Sequence, residues 1–234
     1  MSPRTQPEQQ PPPVQWLRLR YARRGRARFT SHRDFGRAFE RALRRAEVPM
    51  AYSSGFSPHP RISYANASPT GAASEAEYLE IGLTARRDPE QVRVALDGAL
   101  PPGLDVVAAQ VSPGDTLADL LTCSRWRIDV VGVDAEITHR AVQTFRSREV
   151  VEVSRMTKSG LRTFDARAAV HELRPEPGRL VATIAHQVPL VRPDDLLTAL
   201  GEVDPEWRPT HPPLLTRLTQ GRLDLVTGEI AAPL

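Results

Sequence analysis

From Ser31 to Pro49 the chain can be little other than one amphipathic helix. Phe35, Ala38, Phe39, Ala42, Leu43 and Ala46 recur at three- and four-residue steps and share one helical face. At about 100° per residue, Arg33, Arg37, Arg41 and Arg44 fall on the opposite face. Ser31 is placed to cap the helix, with Asp34 three residues on in a capping-box pattern, where the helix dipole also favours an anion. Val48-Pro49 ends it. Any fold for this chain must therefore bury the Phe35–Phe39–Leu43 stripe and leave a row of arginines outside.

The segment that follows, Ser53-Ser54-Gly55-Phe56-Ser57-Pro58-His59-Pro60, is expected to be a stiff loop. Two prolines fix φ and one glycine permits a conformation that other residues avoid. A rigid loop beside an arginine-faced helix is where function is to be sought. Phe56, flanked by Tyr52 and Tyr64, offers a surface on which unpaired bases stack. Tyr64 alternates with Ile62 and is better placed in the core.

Charge is unevenly spread. Val14 to Ile62 holds twelve arginines against three acidic residues, whereas the whole chain has a formal net charge of +3. This asymmetry predicts a polyanion-facing surface in the N-terminal part, with RNA the leading partner; the alternative is a merely solvated helix face. Arginine accounts for all the Lys+Arg count but one residue, Lys158, so arginine abundance by itself says little about arginine chemistry. A single cysteine, Cys123, excludes an internal disulfide and any CxxC zinc or iron–sulfur motif. No apolar run reaches the roughly 18–20 residues that span a bilayer, and the first residues lack the apolar stretch of a signal peptide, so a cytoplasmic protein without membrane contact is expected.

At 234 residues the chain suits two small domains. Residues 1–13, rich in Pro and Gln, are expected to be a disordered leader. A strand through Trp16, Leu17, Leu19 and Tyr21, with Arg18 and Arg20 on its other face, precedes a turn at Arg24-Gly25 and an extended stretch from Ala27 to Phe29. After the helix and loop come strands at 61–65 and 77–83, a helix opened by Asp88-Pro89-Glu90, and a strand at 104–111. This β-α-β-β-α-β order predicts a ferredoxin-like sandwich over residues 14–112. Ser112-Pro113-Gly114 is a candidate hinge, with a connecting turn at 117–121. The pattern then repeats over 122–220: strands at 126–133, 149–153, 180–185 and 214–218, a helix after Asp134 and another after Pro193, with an insertion at 157–167 and a tail from 221. The expected class is α+β, two tandem ferredoxin-like units with antiparallel sheets.

Several runs carry a resemblance. Phe29-Thr-Ser-His-Arg-Asp34, Arg41-Ala-Leu-Arg-Arg-Ala46, Tyr52-Ser-Ser-Gly-Phe-Ser-Pro-His-Pro60 and Ser74-Glu-Ala-Glu-Tyr78 resemble the bacterial radical-SAM-linked protein family, with Lys158, Gly160 and Asp165 resembling a second patch. That domain of unknown function is often fused to, or encoded with, B12-type radical SAM proteins. This chain lacks the CxxxCxxC motif of such enzymes. The resemblance therefore implies an accessory role beside a radical SAM protein, or a separate activity.

The chemical candidates are few. His32, Asp34 and His59, with Glu75 or Glu77, supply metal-ligating groups, but no two share one element at ligand spacing. Ser53, Ser54 and Ser57 have a histidine nearby but neither a GxSxG elbow nor an assigned acid. No Walker A or GxGxxG loop is present, and no cofactor is implied. Lys158 is either a site needing a compact charge with a tunable pKa or leftover codon usage. The leading expectation is an RNA-binding accessory protein acting on tRNA or rRNA, with affinity from Arg33, Arg37, Arg41, Arg44 and Arg61 and shape from Gly55, Phe56, Pro58, His59 and Pro60. Two alternatives stand beside it. One is an RNA-modifying enzyme, of pseudouridine-synthase-like architecture, with Asp34 or Asp165 as acid or base. The other is a docking subunit for a radical SAM protein that makes no RNA contact.

Overall fold

The protein is seen in a computed structural model that describes residues 9–157 and 160–234. It is an α+β protein whose strands pair mostly antiparallel, and it divides into two compact units, the first running to Asp119 and taking in Leu234, the second spanning Leu120–Pro233.

The first unit holds β1 (Gln15–Arg23), a short 3-10 helix (Gly25–Phe29), α1 (His32–Arg45), β2 (Ile62–Ala65), β3 (Ala73–Leu83), α2 (Pro89–Ala99) and β4 (Leu104–Val111). Its strands pair in the order β4-β1-β3-β2. Period-2 alternation sends Leu17, Leu19, Leu79, Ile81 and Leu83 to one face, where they pack with Phe35, Phe39, Ala42 and Leu43 of α1 and Val92 and Leu96 of α2. The helix stripe read in the sequence is thus the lid of this core. Tyr21 and Phe35 stack at 4.5 Å between centroids, and Tyr64 meets Phe35 edge-on at 6.0 Å, which puts Tyr64 against the core as its alternation with Ile62 required.

The opposite face of the sheet departs from expectation. Arg18 is only 1 % exposed. Its Nε donates to Glu80 Oε1 at 2.9 Å and its Nη2 to the Asp115 carbonyl at 2.6 Å, because the chain after β4 crosses this face. Arg23 is also buried and donates to the carbonyls of Ser68, Arg28 and Thr30. These bonds hold the 3-10 turn at Gly25–Phe29, where the sequence had suggested extended chain. The leader is likewise tied where it is described: the Gln10 N–H donates to Ser54 Oγ at 2.9 Å and Val14 N–H to the Leu83 carbonyl at 2.9 Å.

A single-turn helix, α3 (Leu117–Leu120), precedes the strands of the second unit. That unit holds β5 (Cys123–Asp129), α4 (Ala135–Ser147), β6 (Glu152–Thr157), β7 (Gly160–Asp165), β8 (Val170–Glu176), β9 (Arg179–Ala185), α5 (Pro193–Val203), β10 (Leu214–Leu223) and β11 (Ile230–Ala231). The strands pair as β11-β10-β5-β9-β8, while β6 and β7 form a separate hairpin. The strand expected at 149–153 therefore belongs to the hairpin and not to the main sheet. The edge position falls to β8, which lies beyond the expected insertion. The stretch from 221 is more than a tail, since it completes β10 and supplies β11. Cys123 is buried on β5 with Sγ 3.4 Å from the Gly221 carbonyl. Among the described residues no helix is long and apolar enough to cross a membrane.

Candidate nucleic-acid interface

Helix α1 begins as its sequence dictates. Ser31 Oγ accepts from the Asp34 N–H at 3.1 Å and donates to Asp34 Oδ2 at 2.7 Å. Asp34 is thereby part of the cap, with Arg37 4.0 Å away as a loose ion pair. Arg33, Arg37, Arg41 and Arg44 are all exposed on the side away from Phe35, Phe39 and Leu43. Among the described residues, the side chains of Arg33, Arg41 and Arg44 meet no carboxylate. Elsewhere several arginines are paired with carboxylates: Arg24 with Glu75 and Asp105, Arg93 with Glu90, Arg140 with Asp204 and Glu206. The Glu75 and Asp105 carboxylates hold the Arg24 guanidinium well above its ordinary value.

The loop is closed at its base and open at its tip. Tyr52 bridges Pro60, the Ser53 N–H donates to the His59 carbonyl at 2.8 Å, and the His59 N–H donates to Ser53 Oγ at 3.0 Å. Below this, Ala51 N–H donates to the Gly82 carbonyl and Gly82 N–H to the Arg61 carbonyl, which bolts both legs of the loop to the end of β3. Arg61 is half-buried and its Nε donates to the Tyr52 carbonyl at 3.2 Å, so it braces the loop from below. Phe56 and Pro58 stand at the exposed tip, Phe56 with 67 % of its surface accessible. Gly55 has φ +121°, a conformation that side chains oppose. Glu40, Leu43 and Arg44 of α1 line a cavity of about 80 Å³ together with Tyr52 and Pro60 at the base of the loop.

The other candidates are dispersed or already engaged. The His32 ring lies edge-on to Tyr64 at 4.9 Å, His59 is exposed on the loop, Glu75 belongs to Arg24, and the buried Glu77 accepts from the Ser68 N–H at 2.9 Å. Among the described residues no group of three or more His, Cys, Asp or Glu is placed to hold a metal ion. The hydroxyls of Ser53 and Ser54 accept backbone N–H groups of His59 and Gln10. Tyr64 is pushed up to about 12, mainly by burial and then by the Glu40 charge, so its phenol stays protonated. Asp165 accepts from the N–H groups of Val151, Arg167 and Ala168 at 3.0, 2.8 and 3.3 Å, which makes it the turn-former at the root of the β6–β7 hairpin. Gly160 begins β7, and Lys158 lies outside the described residues. Arg23, whose hydrogen bonds fix the approach to α1, was invisible in the sequence because its partners are mainly backbone carbonyls, those of Arg28, Thr30 and the distant Ser68, which carry no residue-type signal.

Comparison with known proteins places these features in a family. No curated protein matches the chain. Among solved structures, one described as an unknown protein from Galdieria sulphuraria is similar at 16 % identity, with 89 % of this chain and 99 % of that chain covered and a TM-score of 0.26. A family model described as "uncharacterized protein conserved in bacteria" matches residues 16–193, a span that holds α1, the Gly/Pro/His loop and the β6–β7 hairpin. On that match the chain belongs to the DUF2344 family of bacterial proteins.

Proposed function

We propose that this protein binds RNA through the outer face of α1 and the tip of the Ser53–Pro60 loop, as a cytoplasmic accessory factor in tRNA or rRNA modification. The observation that carries the reading is the row Arg33, Arg37, Arg41 and Arg44 on one exposed helix face, in which three guanidinium groups meet no carboxylate among the described residues. Guanidinium groups spaced along one helix face match the repeat of a phosphate backbone and bind it with release of counterions. The loop is bolted to β3, its Tyr52 and Pro60 line a small cavity with Arg44 of α1, and Phe56 at its exposed tip supplies an aromatic ring for stacking on an unpaired base.

The architecture supports the same reading. We read the orders β4-β1-β3-β2 and β10-β5-β9-β8, each with two helices between its strands, as two ferredoxin-like units, the second interrupted by the β6–β7 hairpin. That class hosts RNA binding but does not imply it. The motif resemblance described above supports a radical SAM protein as the working partner. An enzymatic role for Asp34 or Asp165 has less support, since one caps α1 and the other satisfies three backbone N–H groups.

The test is the triple variant Arg37→Gln, Arg41→Gln, Arg44→Gln in filter binding to tRNA and rRNA fragments at several salt concentrations. RNA affinity is expected to fall and the slope of log K against log salt to flatten by roughly two to three. An unchanged affinity and slope would refute the reading. If that unchanged binding is joined by loss of a radical SAM protein in pull-down, the arginine row is a protein-docking surface instead.

A further inference from the structure

The face of the first sheet turned away from α1 and α2 carries a pocket of about 560 Å³, within the range of small-ligand sites. Its walls come from five separate segments, and each is fixed. Pro13 packs on Gly82, where an added Cβ would come within 2.8 Å of the proline ring. The Gln15 side chain donates to the Arg87 carbonyl at 3.1 Å and accepts from the Arg87 N–H at 2.8 Å, which pins the turn bearing Arg86. The Ser112 N–H donates to the Trp16 carbonyl at 2.8 Å. Across the sheet, Ser63, Glu80 and Arg18 lie side by side on β2, β3 and β1, with Trp16 two residues further along β1.

Glu80 is the informative residue. Its side chain is 15 % exposed. Oε1 is saturated by the Arg18 guanidinium at 2.9 Å and by the Ser112 hydroxyl at 2.7 Å. Oε2 takes none of these bonds. A charged acceptor oxygen thus borders a pocket whose apolar lining is Trp16, Val14, Val111 and Pro13 and which also holds the exposed Arg86. Oε2 requires an N–H donor, Arg86 requires an anion, and the indole and aliphatic lining suits a flat ring. A bare cation meets Arg86 unfavourably, and a purely apolar ligand leaves Oε2 unpaired.

We propose that this pocket binds a nucleotide whose base carries an exocyclic amino group, with the base against Trp16, the amino group donating to Glu80 Oε2 and a phosphate meeting Arg86. The pocket is distinct from the outer face of α1, and its reading does not rest on RNA binding there.

Trp16 provides the readout. Trp126 and Trp207 are 4 % and 3 % exposed, whereas Trp16 is half-buried, so quenching by an added nucleotide reports on Trp16. CMP and UMP, which differ at the pyrimidine C4 amino or oxo group, are titrated into the full chain by fluorescence and calorimetry. CMP is expected to quench and to bind about tenfold tighter than UMP, the usual worth of one hydrogen bond to a charged group. Glu80→Gln keeps an oxygen for Arg18 and Ser112 but replaces Oε2 with an amide donor, so it should erase or reverse the CMP preference. Arg86→Gln, on the exposed rim, should weaken CMP but leave cytidine unchanged. Trp16→Phe should abolish quenching while calorimetry still detects CMP. A cytidine hexanucleotide distinguishes the source: binding tighter than CMP identifies a base within a strand, and equal or weaker binding identifies a free nucleotide. Failure of both CMP and UMP to bind at millimolar concentration, or equal binding of the two, would overturn the proposal even if Glu80→Gln did not fold. Loss of salt-dependent RNA affinity in the α1 variant would leave these titrations untouched.

Discussion

Ser124 Oγ lies 2.7 Å from Nε2 of His186, the serine fully buried and the histidine half-buried in the second unit. Nδ1 of the same ring is 2.6 Å from the Leu121 carbonyl, which can only accept, so Nδ1 carries the proton and Nε2 accepts from the serine hydroxyl. The neutral imidazole is the form this arrangement holds. Burial pushes the His186 pKa below its ordinary 6.5, the Leu121 carbonyl opposes that shift, and the Arg217 charge adds to it. Ser124 is fully buried, so the pair is an internal pin rather than an exposed nucleophile.

A pH dependence follows from that pin. Above the unfolded-state value the ring is neutral in both states and its contribution to stability is fully present. As pH falls below 6.5, the unfolded chain takes up the proton first, and stability is lost until the depressed folded-state value is passed. The melting temperature should therefore rise as pH is raised through 6.5 toward neutrality. His186→Gln should lower the melting temperature at neutral pH and flatten that rise. A variant that keeps the wild-type slope would show that other groups cause it.

The two faces of α1 should behave oppositely. Phe39 is 1 % exposed in the core, so Phe39→Ala should destabilise the first unit by about 3–5 kcal/mol. Arg41 is exposed and meets no carboxylate among the described residues, so Arg41→Gln should change stability by less than about 0.5 kcal/mol. Denaturant melts of the two variants provide the comparison, and a large loss for Arg41→Gln would mean that the outer face is structural.

Gly55→Ala should strain the loop by about 1–3 kcal/mol locally, because φ +121° opposes a side chain even though a Cβ would meet nothing within 4 Å. The base of the loop stays closed by the Ser53–His59 bonds, so the change should distort the tip and weaken RNA binding. Its cost in melting temperature should stay well below that of Phe39→Ala. Equal costs would make the loop a structural element and remove Phe56 from the interface.

Asp165→Ala leaves three backbone N–H groups without their acceptor and should destabilise the second unit by about 1–3 kcal/mol. Asp165→Asn retains one acceptor oxygen and should recover at least half of that loss. Urea melts of both variants decide the matter, and an Asn variant as unstable as Ala would mean that charge, rather than geometry, holds the turn.

What was legible in the sequence depended on periodicity. The α1 stripe, its Ser31 cap and the alternation of β1 and β3 are local patterns, and each sets which face is buried. The β6–β7 hairpin was not legible because only Val153 and Phe164 of its described residues are buried, leaving no alternation to detect. β8 was missed because its register shifts between Val170 and Glu172, which breaks the two-residue period. The arginine row and the loop could be named from the sequence, but the closure of the loop by Arg61 and Gly82 could not. Nor could the pocket at Trp16 and Glu80, whose walls are brought together only by the register of β1, β2 and β3.

The single cysteine sits where it can keep time. Burial pushes the Cys123 thiol up to about 11, and Gly221 on the neighbouring strand β10 covers it. Thiol reagents attack the exposed thiolate, so a modifying reagent must wait until β5 and β10 part. The rate of labelling in native buffer is therefore a stopwatch for spontaneous opening at the centre of the second unit, readable by mass as one added group per chain and requiring no engineered probe.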